Sequence, residues 1–133
     1  MNDVDLNDID VASPSVVRAT ARDFAAALAE TPQFKAFEQS YEALNKDVAA
    51  HQALSAYQEK ANSLRALIML NALSESDRAE LERLQKEYVT RPSVQAYAAA
   101  QAELTALCQP IAAMISEAIG LNYAASCGAS CCG

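Results

Sequence analysis

Apolar side chains recur every three or four positions along most of this chain, and this spacing constrains its fold more than any other feature. The clearest stripe consists of Phe34, Phe37, Tyr41, Leu44 and Val48. The spacing gathers apolar side chains on one face of an α-helix and does not fit the two-residue period of a strand. All three glycines lie at or beyond position 120, so the glycine turns of β-hairpins are missing before it. The sequence therefore predicts an all-α fold.

Start signals divide the chain into about five predicted helices. Proline stands at the first helical position of three of them, where its missing N–H costs nothing, and Ser74 with Asp77 forms a capping box. The stripes predict helices from Ser13 to Glu30, from Pro32 to a break between Asn45 and Ala49, from that break to Ile68, from Ser74 to Val89, and from Pro92 to Gly120 with a kink at Pro110. Because the stripes are rich in alanine and bury little area, we expect helical hairpins in a bundle completed by oligomerisation.

Three segments follow from this pattern. Residues 1–12 alternate acidic and aliphatic side chains without a helical period and are predicted to be a disordered acidic arm. Residues 13–120 form the predicted helical domain, and residues 121–133 a flexible cysteine-containing tail. The segment from Pro32 also resembles the segment from Pro92 at an offset of 60 residues. This likeness indicates a pseudo-symmetric pair of helical hairpins, or only the general similarity of helices that open with proline.

The charge of the chain excludes several classes of partner. The formal net charge is −7, and binding to a phosphate backbone or an anionic membrane depends on Lys and Arg displacing counterions. We therefore expect no direct nucleic-acid binding and no membrane binding. Apolar runs are far shorter than the roughly 20 residues that span a bilayer, and the first ten residues carry four Asp where a secretory signal would be basic. The sequence predicts a cytoplasmic protein.

Residues suited to catalysis are scarce. His51 is the single imidazole, and no nucleophile elbow, zinc-protease motif or phosphate-binding glycine loop occurs. A lone histidine lacks the group that would orient it, so we expect His51 to be an exposed helix residue. The acidic residues around Asp77 alternate with Arg78 and Arg83, as on a solvated helix face. The chain is predicted not to be an enzyme.

The tail holds the residues with the clearest chemical potential. Cys127, Cys131 and Cys132 follow the last predicted helix among small, flexible residues. Thiols of a cytoplasmic chain stay reduced, which favours metal ligation, first by an iron–sulfur cluster and second by zinc. Adjacent cysteines do not easily point both sulfurs at one centre. A missing ligand could come from Cys108, although its place on an apolar stripe favours a buried hydrophobic role, or from another subunit. Thiol redox chemistry or soft-metal handover is the alternative, and an end without a cysteine-dependent role is the third reading.

Four stretches carry a likeness to a known family. They are residues 28–37 (LAETPQFKAF), 44–47 (LNKD), 92–97 (PSVQAY, leading into Leu104, Leu107 and Ile111) and 115–120 (ISEAIG). Over about Ala19 to Gly120 the chain resembles the YlbF/YmcA family of small bacterial regulators, whose members often end in a cysteine-containing extension. The sequence departs from the family in two places: Arg91 stands where an Asn cap is typical, and the pair Cys131–Cys132 is unusual.

The resemblance implies a helical, non-enzymatic regulator that acts through protein partners. Family members join a homologous helical subunit and a third, cysteine-rich protein in a complex that carries iron–sulfur clusters. That complex influences RNA processing, competence, sporulation and biofilm formation. Carried over to this sequence, the resemblance implies a homo-oligomer or a hetero-oligomer with a homologous subunit. It also implies that Cys127, Cys131 and Cys132 are the candidate cluster ligands.

Overall fold

The computed structural model describes residues 12–120, and these residues form six α-helices. They are α1 (Pro14–Ala29), α2 (Pro32–Lys46), α3 (Val48–Ser63), α4 (Arg65–Met69), α5 (Glu75–Val89) and α6 (Pro92–Ile119). No strand occurs between residues 12 and 120, which confirms the all-α prediction. Residues 1–11 of the predicted arm and the whole predicted tail, 121–133, lie outside the described residues.

Capping side chains fix the starts of the helices at the predicted places. The Ser13 hydroxyl accepts a hydrogen bond from the Val16 amide, and the Thr31 hydroxyl accepts one from Phe34 at 3.2 Å. The Ser74 hydroxyl accepts from the Asp77 amide at 3.1 Å, as the capping box predicts. Each bond satisfies an amide in the first turn that has no partner within the helix. The sequence signals for α1, α2 and α5 are thus confirmed.

The number of helices differs from the prediction at one place. The stripe from Ala50 to Ile68 predicts one helix, but the structure ends α3 at Ser63 and starts the short helix α4 at Arg65. Between them, Leu64 has φ −99° and ψ 2°, outside the helical range, and its side chain is buried. The chain reverses direction just beyond α4, at Asn71, whose φ is +50°. The chain therefore has six helices and not the five expected, because α3 ends at Ser63 while the apolar stripe continues to Ile68.

The helices form two antiparallel arms joined at α4. The first arm contains α1, α2 and α3, and the second contains α5 and α6; α3 packs on α5, and α2 packs on α6. The antiparallel direction follows from side-chain pairs: Lys60, late in α3, meets Asp77, early in α5. In the same way Asp47, at the end of α2, meets Ser93 at the start of α6. The result is a long hairpin that is two helices thick.

So thin an arrangement leaves little core. Among the described residues only six side chains are buried, and no large side chain is fully buried; the six are Ser40, Ala50, Ala53, Leu64, Leu84 and Ala100. Four of these are alanine or serine, whose small side chains let helix backbones approach closely but remove little apolar area from water. Most of the apolar stripe that each helix carries is therefore only half-covered.

The offset of 60 residues seen in the sequence is also present in the structure. Residues 31–47 and 91–107 show the same order of buried, half-buried and exposed side chains. Ser40 and Ala100 occupy equivalent positions, and so do Phe37 and Tyr97, whose ring centroids lie 5.5 Å apart. Helix ends match as well, because α1 ends at Ala29 and α5 at Val89. The burial pattern of α2 is thus repeated in the first half of α6, and the equivalent residues Phe37 and Tyr97 meet where these two helices pack.

Candidate functional site

The predicted ligands in the tail, Cys127, Cys131 and Cys132, lie outside the described residues, so their role stays a prediction. Cys108 is described, and it is a free thiol of intermediate exposure on α6. Between residues 12 and 120 no group of three His, Cys, Asp or Glu side chains could hold a metal ion. Apolar residues of α1 and α6 line the surroundings of Cys108. The structure therefore gives Cys108 the apolar surroundings that its stripe predicted, but the thiol is half-exposed and not buried.

His51 lies in the first turn of α3 and is exposed. Its Nε2 is 3.2 Å from the carbonyl oxygen of Asn45. That contact ties the ring to the end of α2, and no carboxylate hydrogen-bonds to the ring in the described part of the chain. The prediction of an exposed helix residue is confirmed by this position.

A polar junction where the arms meet contains Asp47, Ser93 and Arg91. Asp47 Oδ1 accepts a hydrogen bond from the Ala50 amide at 3.0 Å, which caps α3. The Ser93 hydroxyl donates to Asp47 Oδ2 at 2.6 Å, and an Arg91 Nη2 atom lies 3.6 Å from Oδ1. One carboxylate therefore starts a helix of the first arm and binds two residues of the second.

The junction changes the titration of its carboxylate. The hydrogen bond from Ser93, and next the one from the Ala50 amide, lower the pKa of Asp47 below its ordinary value, with a further contribution from the Arg91 charge. Arg91 gives α6 no side-chain cap, and its Nε atom is buried without a hydrogen-bond partner among the described residues. The arginine that replaces the typical Asn cap thus contributes to the contact between the arms and leaves the helix start uncapped.

Ion pairs cover the solvated face of α5. Lys60 Nζ lies 3.0 Å from Asp77 Oδ1, and the hydrogen bond from Lys60, followed by that from Ser74, lowers the pKa of Asp77. Arg83 forms ion pairs with Glu80 at 2.8 Å and Glu87 at 3.3 Å. Glu80 and Glu87 are paired with Arg83 on α5 itself and lie on the solvated face that the sequence predicted. Asp77 does not: it is half-buried and binds Lys60 across the contact between α3 and α5.

An apolar groove opens between α1 and the second half of α6. We call it the α1–α6 groove; its walls include Val17, Ala21, Phe24, Cys108, Ile111 and Ile115, and it encloses about 690 Å³. These residues lie on the apolar stripes of α1 and α6, yet Val17 is 57% exposed and Phe24 is 46% exposed. An apolar stripe identifies the face of a helix that is suited to burial, but it does not show which other element covers that face. The groove is therefore a part of the apolar stripes that the described residues leave uncovered.

A second exposed apolar region lies at the tip of the hairpin. It consists of Leu67, Ile68, Met69 and Leu70, of which Met69 and Leu70 are more than 70% exposed. Together with the α1–α6 groove, it places apolar surface at both ends of the hairpin. Apolar patches of this kind mark surfaces that contact other molecules.

Comparison with known families decides what kind of protein carries these surfaces. The family model described as control of competence regulator ComK, YlbF/YmcA, matches residues 17–120. The chain belongs to this family. The match begins in α1 and ends just after α6, so it covers the hairpin. It confirms the family that the sequence pattern indicated.

Membership gives this YlbF/YmcA-family chain a regulatory role, in agreement with the prediction of a non-enzymatic protein. No individual curated protein matches the chain. Within residues 12–120, none of the helices has the length and apolarity needed to cross a membrane.

Proposed function

We propose that this YlbF/YmcA-family chain is a regulatory adaptor that acts by assembling with other protein subunits. The observation that carries the proposal is the two-helix thickness of the hairpin. Only six described side chains are buried, whereas 13 large hydrophobic side chains are exposed. A chain of this size normally covers such surface, so the uncovered stripes favour association with a second copy or a homologous helical subunit.

The finer part of the proposal concerns the tail. Cys127, Cys131 and Cys132 supply three thiolates, which are the ligands that iron–sulfur clusters and zinc take in proteins. We propose an iron–sulfur cluster as the bound group, with zinc as the second choice. Three thiolates fall short of the four that either centre uses, and Cys108 lies in an apolar wall, so a cysteine-rich partner protein is the proposed source of the remaining ligand.

The regulatory outcome is proposed to pass through these partners. A bound cluster would supply a centre that responds to iron and to oxidation, and its loss would release the tail from the partner. The chain itself is acidic, at a net charge of −7, so effects on RNA processing, competence, sporulation or biofilm formation are proposed to be indirect. The site of action is proposed to be the cytoplasm, where thiols stay reduced.

The test is anaerobic purification of the full chain, alone and together with a cysteine-rich partner from the same genome, followed by iron, zinc and sulfide analysis. Iron with labile sulfide that disappears in a Cys127→Ser/Cys131→Ser/Cys132→Ser variant supports the proposal. Cys108→Ser is the matched control and should keep the metal. Metal-free protein in both preparations contradicts the cluster, and a soft metal bound without sulfide favours thiol-based metal handover instead.

A further inference from the structure

We draw no further inference here: the strongest candidate, the exposed apolar patch of Leu67, Ile68, Met69 and Leu70 at the tip of the hairpin, carries nothing because no feature of the part of the chain that the structure describes shows what covers it.

Discussion

At the scale of single residues, Asp47 combines two structural tasks that are usually separate. Its backbone N–H bonds to the Leu44 carbonyl at the end of α2, and its carboxylate caps α3. The same carboxylate accepts the Ser93 hydroxyl of the second arm. The sequence identified the cap from the residue type and the break in the stripe. It did not identify Ser93 or Arg91 as partners, because they lie 46 and 44 positions away and no local pattern links them.

Replacing Asp47 by Asn is predicted to reduce the acid sensitivity of folding. The pKa of Asp47 is lower in the folded protein than the ordinary value of 3.8 that applies to the unfolded chain. The stability contributed by the charged carboxylate is therefore complete above that pH and is lost as the pH falls through the lower folded value. Urea unfolding from neutral pH down to about pH 3 should show a smaller loss of stability in Asp47→Asn than in the wild type.

Asp23→Asn is the control for this experiment, since Asp23 forms no hydrogen bond or ion pair within the described residues. It should leave the acid-dependent slope as in the wild type. Equal slopes for Asp47→Asn and the wild type would show that the junction does not hold the carboxylate in its charged form.

At the scale of elements, α1 and α5 are equivalent helices with different surroundings. Both have apolar stripes of regular spacing, and both precede a helix that opens with proline. Leu84 of α5 is buried against the first arm, while Phe24 of α1 lies beside an open groove. Two helices with the same kind of pattern therefore contribute unequally to the stability of a single chain.

Truncation of these two residues is predicted to have unequal cost. Leu84→Ala removes a buried side chain and should lower the free energy of unfolding by about 2–4 kcal/mol. Phe24→Ala removes a side chain that is already half in water, so in dilute monomer the loss should be about 1 kcal/mol. Urea unfolding at low protein concentration measures both. If Phe24→Ala lowers the free energy of unfolding as much as Leu84→Ala does, the α1–α6 groove is closed in the isolated chain.

The α2–α6 contact depends on small residues at its centre. Ala100 is 9% exposed and its counterpart Ser40 is 8% exposed. Ala100→Leu is predicted to force the two helices apart and to lower the free energy of unfolding by about 1–3 kcal/mol. Ala98→Leu is the matched control, because Ala98 is exposed on the same helix and the change should be nearly neutral. Equal stability of the two variants in urea unfolding would contradict close packing at this crossing.

At the scale of the whole molecule, packing decreases from one end of the hairpin to the other. The α3–α5 end has most of the buried side chains and the Lys60–Asp77 ion pair. The α1–α6 end has no buried side chain on α1 and a groove of about 690 Å³. The surface around the α1–α6 groove is therefore well suited to assembly, because exposed apolar side chains gain free energy when a partner replaces water.

Hydrogen exchange is predicted to follow this gradient. In dilute protein, amides of α3 and α5 should exchange most slowly, and those of α1 should exchange fastest among the long helices, because few contacts oppose local opening there. Raising the protein concentration should slow exchange in α1 and leave α3 and α5 unchanged. Uniform protection along all helices at low concentration would contradict the gradient.

The sequence by itself determined the all-α class, the starts of the long helices, the break at Asp47 and the family. These features depend on local chemistry, on capping hydroxyls, on proline at the first helical position and on a period that any single helix displays. The cysteines of the tail are likewise a prediction from sequence alone. Only the tertiary structure decided which stripes are covered, as Phe24 and Leu84 show. Burial depends on the surface that the other arm presents, and the turn at Leu64 is not visible in the spacing of apolar residues.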